Sequence, residues 1–67
     1  MIELTKNNGS APGTRIVVNE KMICYLEKDL LNHDRTWVYF RTGPERKDRL
    51  DVSEHIDQVI KLIKEAN

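Results

Sequence analysis

Near the end of the chain the spacing of apolar residues changes period: Leu50 and Val52 flank a charged residue, and from Ile56 the beat becomes Ile56, Val59, Ile60 and Ile63. A beat of two places both side chains on one face of a strand, whereas steps of three and four line one stripe of a helix. Each element carries an apolar face that needs a cover. A strand feeding an amphipathic helix therefore predicts a sheet with the helix laid across it. The helix is expected from about Glu54 to Glu65. Ser53 and His55 compete as caps, and Gln58 stands where a capping-box partner of His55 would sit.

The rest of the chain supplies the sheet. Met1 to Thr5 alternates apolar and polar residues as a half-buried strand does. Lys6 to Gly13, with Asn7-Asn8-Gly9-Ser10 and Pro12-Gly13, reads as a hairpin loop, because these residues favour reversal and positive backbone angles. Thr14 to Val18 is β-branched at four of five positions and makes a second strand, with Asn19-Glu20 as the corner after it. The type of the next segment, Lys21 to Leu26, is left open by its pattern. Glu27 to Arg35 is polar apart from Leu30 and Leu31 and is expected to loop outward or to form one irregular turn. Thr36 to Phe40 is aromatic and β-branched, Gly43-Pro44 ends it, a charged loop runs to Arg49, and Leu50 to Val52 is a short last strand. The expected architecture is α+β: a small antiparallel β-sheet of four to five short strands with one C-terminal α-helix packed across one face. No linker or repeat divides it, so residues 1–67 form one domain.

A chain of 67 residues hides only about 60% of the surface that its unfolded form exposes. Its expected core is Ile2, Leu4, Ile16, Val18, Ile23, Leu26, Val38, Phe40, Leu50, Val52, Ile56, Val59, Ile60 and Ile63. Such a core is thin, and with neither a disulfide pair nor a metal cage to staple it, self-association is expected. Eleven basic and eleven acidic residues cancel, leaving no net field to draw the chain to nucleic acid or to an anionic membrane. The single Cys24 cannot form an internal disulfide, which fits a reducing compartment. No apolar run approaches the roughly 20 residues of a membrane span, and the first residues lack the pattern of a signal peptide. The expectation is a cytoplasmic protein without membrane insertion.

If Val38, Phe40, Leu50 and Val52 face the helix, alternation turns Trp37 and Tyr39 to the opposite face, which one helix cannot cover. Paired aromatics on an open sheet face are the kind of residue that dominates protein interfaces, so Trp37, Tyr39 and Arg41 form the candidate interface. They could instead pack on each other and on the stems of Arg41, Lys21 or Arg15. The same rings could stack single-stranded bases, a reading that the balanced charge argues against.

Other constellations carry less. Arg41, Arg46, Lys47 and Arg49 surround one loop and could grip phosphate, but Glu45 and Asp48 lie among them and favour a solvated, locally paired loop. His33-Asp34 and the group Glu54, His55 and Asp57 are ligand types without metal-site spacing, so no metal is expected. Cys24 reads as a small structural hydrophobe. Ser10 and Ser53 have no base and acid placed to activate them. No catalytic residue and no cofactor are expected, and the chain is read as a non-enzyme.

Met1-Ile2-Glu3-Leu4-Thr5, then Asn8-Gly9, then Ile16-Val17-Val18-Asn19, Met22-Ile23 and Leu26-Glu27 together resemble the short flagellar and swarming-motility proteins of the FlbD/SwrD-like family. The likeness continues through Val38 to Gly43 and closes on Val52 to Ile60. This chain has longer turns, His55 in place of a capping serine, and Trp37 and Tyr39 in place of smaller residues. The resemblance implies a small cytoplasmic bacterial protein that supports flagellar motility without catalysis, its protein partner unspecified. An accessory protein of a phage or mobile element with the same fold is the alternative.

Overall fold

The computed structural model describes residues 1–9, 11–32, 34–41 and 47–67, Lys47 by its backbone alone. The elements run β1 (Ile2–Asn8), β2 (Ala11–Val18), a 3-10 turn (Glu20–Met22), β3 (Ile23–Lys28), β4 (Thr36–Arg41), β5 (Lys47–Val52) and α1 (Ile56–Ala66). The strands form one five-stranded sheet in the order β2-β1-β5-β4-β3, and every neighbouring pair is antiparallel. The helix packs on one face against β1 and β3. This is the expected α+β architecture.

Several boundaries differ from the sequence reading. The hairpin between β1 and β2 has a short turn where a loop from Lys6 to Gly13 was expected. Gly9 turns the chain at φ +67°, and the Asn8 side-chain amide donates to the Pro12 carbonyl and to Thr14 Oγ1 at 3.1 and 2.6 Å. The breakers Pro12 and Gly13 lie inside β2, where the register against β1 shifts. An edge strand tolerates a proline because its outward side needs no ladder bond. Gly13 is required there: a Cβ would stand 2.6 Å from Thr5 Cγ2 and 3.0 Å from the Lys6 carbonyl oxygen.

The segment left open resolves into the 3-10 turn, capped by the Asn19 side chain accepting from the Lys21 amide at 3.0 Å, and then β3. Glu27 and Lys28 belong to β3 rather than to the following loop. Likewise Lys47, Asp48 and Arg49, expected in a loop, are the first half of β5, because Arg41, Phe40 and Tyr39 of β4 pair with them across the ladder. The helix begins at Ile56, two residues later than expected, and His55 is its cap: Nδ1 accepts from the Asp57 amide at 3.3 Å. Gly43, Pro44, Glu45 and Arg46, like Ser10 and His33, fall outside the described residues.

The core is small. Ile2, Leu4, Val38, Val52 and Val59 are buried, with Ile16, Val18, Ile23, Leu26, Phe40, Leu50, Leu62 and Ile63 packed around them. Ile60, expected inside, is 37% exposed, and Leu62 takes its place beside Val59 and Ile63. Residues 60 and 62 lie on opposite flanks of the stripe through 59 and 63, so the side toward which the helix rolls decides which one packs.

A polar corner ties the last strand to the helix. The fully buried Thr36 donates its hydroxyl to the Glu54 carbonyl at 2.8 Å. Glu54 Oε1 accepts from the Thr5 amide at 2.8 Å, and the Ser53 amide donates to the Thr5 carbonyl at 2.9 Å. These bonds join β1, β4 and the approach to α1 in place of a longer β1–β5 ladder, of which one register pair, Lys6 with Val52, is formed. At the other end, Glu20 is buried and meets the Met1 ammonium at 2.7 Å. That hydrogen bond, with one from its own backbone, holds the Glu20 carboxyl below its usual range.

Candidate functional site on the open sheet face

Register fixes which side chains share the face that the helix leaves open. Tyr25 stands opposite Tyr39, Tyr39 opposite Arg49, and Glu27 and Asp51 stand on either side of Trp37. Directly opposed residues of an antiparallel pair point to the same face, so all these side chains emerge together. Tyr25 is in regular register with Leu26 and Glu27, and a shift lies on its other side: Ile23 pairs with Phe40 and Tyr25 with Tyr39, so Cys24 is the extra residue of a bulge. The bulge lets Ile23 keep to the covered face while Tyr25 stands on the open one; in an unbroken strand residues 23 and 25 would share a face. Cys24 itself is exposed, which corrects its reading as a structural hydrophobe.

The aromatics are organised. The Tyr25 and Tyr39 rings stack with centroids 4.3 Å apart and planes 15° from parallel. The Arg49 guanidinium carbon lies 4.3 Å above the Trp37 ring, a cation–π geometry, and Arg49 Nη1 donates to the Tyr39 hydroxyl at 3.4 Å. Trp37 and Tyr39 are thereby half-buried while Tyr25 stays 43% exposed. The Tyr39 hydroxyl raises the Arg49 pKa further above its ordinary value. Loss of solvation, followed by the neighbouring Tyr39 and Glu27, raises that of the Tyr25 phenol. At neutral pH the face therefore presents the neutral Tyr25 phenol and a fixed cation at Arg49.

The predicted interface residues Trp37 and Tyr39 come together on this face, and Arg41 is exposed two positions further along the same strand. The stems expected to cover the rings differ: the partners are Arg49 and Tyr25 rather than Arg41, Lys21 or Arg15. Arg15 is engaged at the other edge of the sheet, on β2, its Nε donating to Glu3 Oε1 at 2.7 Å. Tyr25 and Arg49 are the members that sequence reasoning missed. A sequence signal for Arg49 existed in its place one residue before Leu50, which alternation assigns to the open face.

The other candidates disperse. Arg49 lies in β5 over Trp37, not in a phosphate-gripping loop. Glu54 and His55 serve the polar corner and the helix cap. Among the described residues no group of three or more His, Cys, Asp or Glu side chains could hold a metal ion, and no helix is long and apolar enough to cross a membrane. A groove of about 420 Å³ runs along α1, lined by Asp57, Gln58, Lys61, Leu62 and Glu65 of that helix, away from the aromatic face.

Comparison of the chain with protein-family models, with characterised proteins and with solved structures finds no match.

Proposed function

We propose that this chain is a non-enzymatic protein-interaction module of the FlbD/SwrD-like kind, supporting flagellar motility from the cytoplasm through a protein docked on its open sheet face. The observation that carries the reading is the set of Trp37, Tyr39, Tyr25 and Arg49 in mutual contact on a face that, among the described residues, no element covers. Tryptophan, tyrosine and arginine supply most interface energy. Here their rotamers are already fixed by mutual contact, which lowers the ordering cost of binding. The end-to-end pattern of apolar and turn residues supplies the family.

The same geometry weighs against base stacking. Tyr25 and Tyr39 spend one ring face on each other, and Arg49 covers one face of Trp37. A nucleobase would have to displace these contacts, whereas a protein can use the outward faces and edges that remain.

The test is restoration of spreading on soft agar in a strain deleted for the gene. Wild-type protein restores it, and Trp37→Ala at equal abundance does not. Full restoration by Trp37→Ala overturns the role of the face. Phage genes on both sides of the gene, in place of flagellar ones, overturn the motility assignment.

A further inference from the structure

The two edges of the sheet are unequal. On β3 the ladder is broken by the bulge at Cys24 and the strand ends in the charged pair Glu27 and Lys28. Bulges and charges are how edge strands avoid pairing with other chains. On β2 the irregularity is confined to the hairpin end around Pro12 and Gly13. From Thr14 to Val18 the register is unbroken, four of five residues are β-branched, and no proline interrupts them. Val17 stands 66% exposed on this edge. Ile16 and Val18 are half-buried at the margin of the core, since the helix packs chiefly on β1 and β3.

We propose that the β2 edge from Thr14 to Val18 is a self-association surface, on which a second copy of this chain pairs antiparallel about a twofold axis through Ile16. Antiparallel pairing of a strand with its own copy is self-complementary by symmetry. Charge selects the register. Centred on Ile16, each Arg15 lies opposite the second copy's Val17, and each Thr14 opposite its Val18. Centred on Arg15, two guanidinium groups would face each other directly, which destabilises a cross-strand pair. Centred on Val17, the pairing would run past Val18 into the 3-10 turn at Glu20–Met22. In the Ile16 register the two Ile16 side chains meet on the covered face and join the two core margins. The twofold axis is perpendicular to the sheet, so both Trp37–Tyr39 surfaces lie on one side and both helices on the other. This inference stands apart from the role of the open face.

Sedimentation of the chain from micromolar to near-millimolar concentration tests it, and a concentration-dependent dimer is expected. Val17→Lys keeps the fold, because position 17 lies opposite Glu3 in its own chain. It also sets a lysine against the second copy's Arg15, weakening the dimer by roughly tenfold or more. In a Cys24→Ala background, Ile16→Cys is expected to form a disulfide-linked dimer on mild oxidation. Trp37→Ala leaves the dimer unchanged. A monomer at every concentration, a Val17→Lys dimer as tight as wild type, failure of Ile16→Cys to crosslink, or loss of the dimer in Trp37→Ala overturns the proposal.

Discussion

On the covered face of the sheet, Leu4, Val38 and Val52 are sealed beneath Val59 of the helix, each 1% exposed or less. On the open face, Tyr25, Tyr39, Trp37 and Arg49 contact one another and water. The two sets alternate residue by residue along β4 and β5, so they share one backbone while meeting different demands. Aliphatic side chains on the covered face gain stability by leaving water, in proportion to the area hidden. The aromatic and guanidinium groups opposite bury less and are held by geometry: a stack, a cation above a ring and one hydrogen bond. The contrast separates folding from recognition within a single strand, and substitutions on the two faces should separate in the same way.

The largest effect is expected from Leu4→Ala, which empties the core where no neighbouring layer can collapse into the space. It should cost about 3 kcal/mol, a large share of the stability available to so small a domain. In a denaturant titration the midpoint should fall steeply. Thr36→Val comes next. It keeps shape and burial but leaves the Glu54 carbonyl without its donor, for a loss of about 1–2 kcal/mol. Because Glu54→Ala disrupts the same corner, the double variant should lose less than the sum of the two single losses. Additive losses would show that the corner does not act as a unit. His55→Ala, which removes a side-chain cap from one exposed amide, should cost about 0.5–1 kcal/mol, read as a small drop in thermal midpoint with little change in the tertiary spectrum.

The smallest change in stability is expected on the open face. The chain has a single tryptophan, so fluorescence reports this face directly. Arg49→Ala should shift Trp37 emission and increase its collisional quenching, since the guanidinium now covering the ring is gone. Unchanged quenching would mean that the cation–π contact does not persist in solution.

The architecture was legible because it is written in period. Leu50 and Val52 followed by Ile56, Val59 and Ile63 require a strand and a helix that pack, and the alternation through Thr36 to Phe40 divides the two faces correctly. Trp37 and Tyr39 were readable as open-face residues for the same reason. Contacts set by register between distant strands were not. Alternation from Leu26 turns Tyr25 to the open face, but its partnership with Tyr39 depends on how β3 pairs with β4, and the bulge at Cys24 shows locally only in the three-residue spacing of Ile23 and Leu26. Arg49 was read with its charged neighbours as loop, although pairing with β4 draws Lys47 to Arg49 into the sheet. Pro12 and Gly13 suggested a loop because a breaker is judged by its neighbours in sequence, whereas an edge strand excuses a proline and a close approach to Thr5 demands a glycine. The buried roles of Thr36, Glu54 and Glu20 depend on partners 18 to 49 residues away or on the chain terminus, which no local window contains.

The most direct test of the separation between the two faces is the thermal midpoint of the double variant Trp37→Ala, Tyr39→Ala beside that of Leu4→Ala. If the open face serves recognition rather than folding, the double variant unfolds cooperatively and its midpoint falls by less than half of the Leu4→Ala drop. A fall equal to or greater than that of Leu4→Ala would make Trp37 and Tyr39 structural residues and contradict the account.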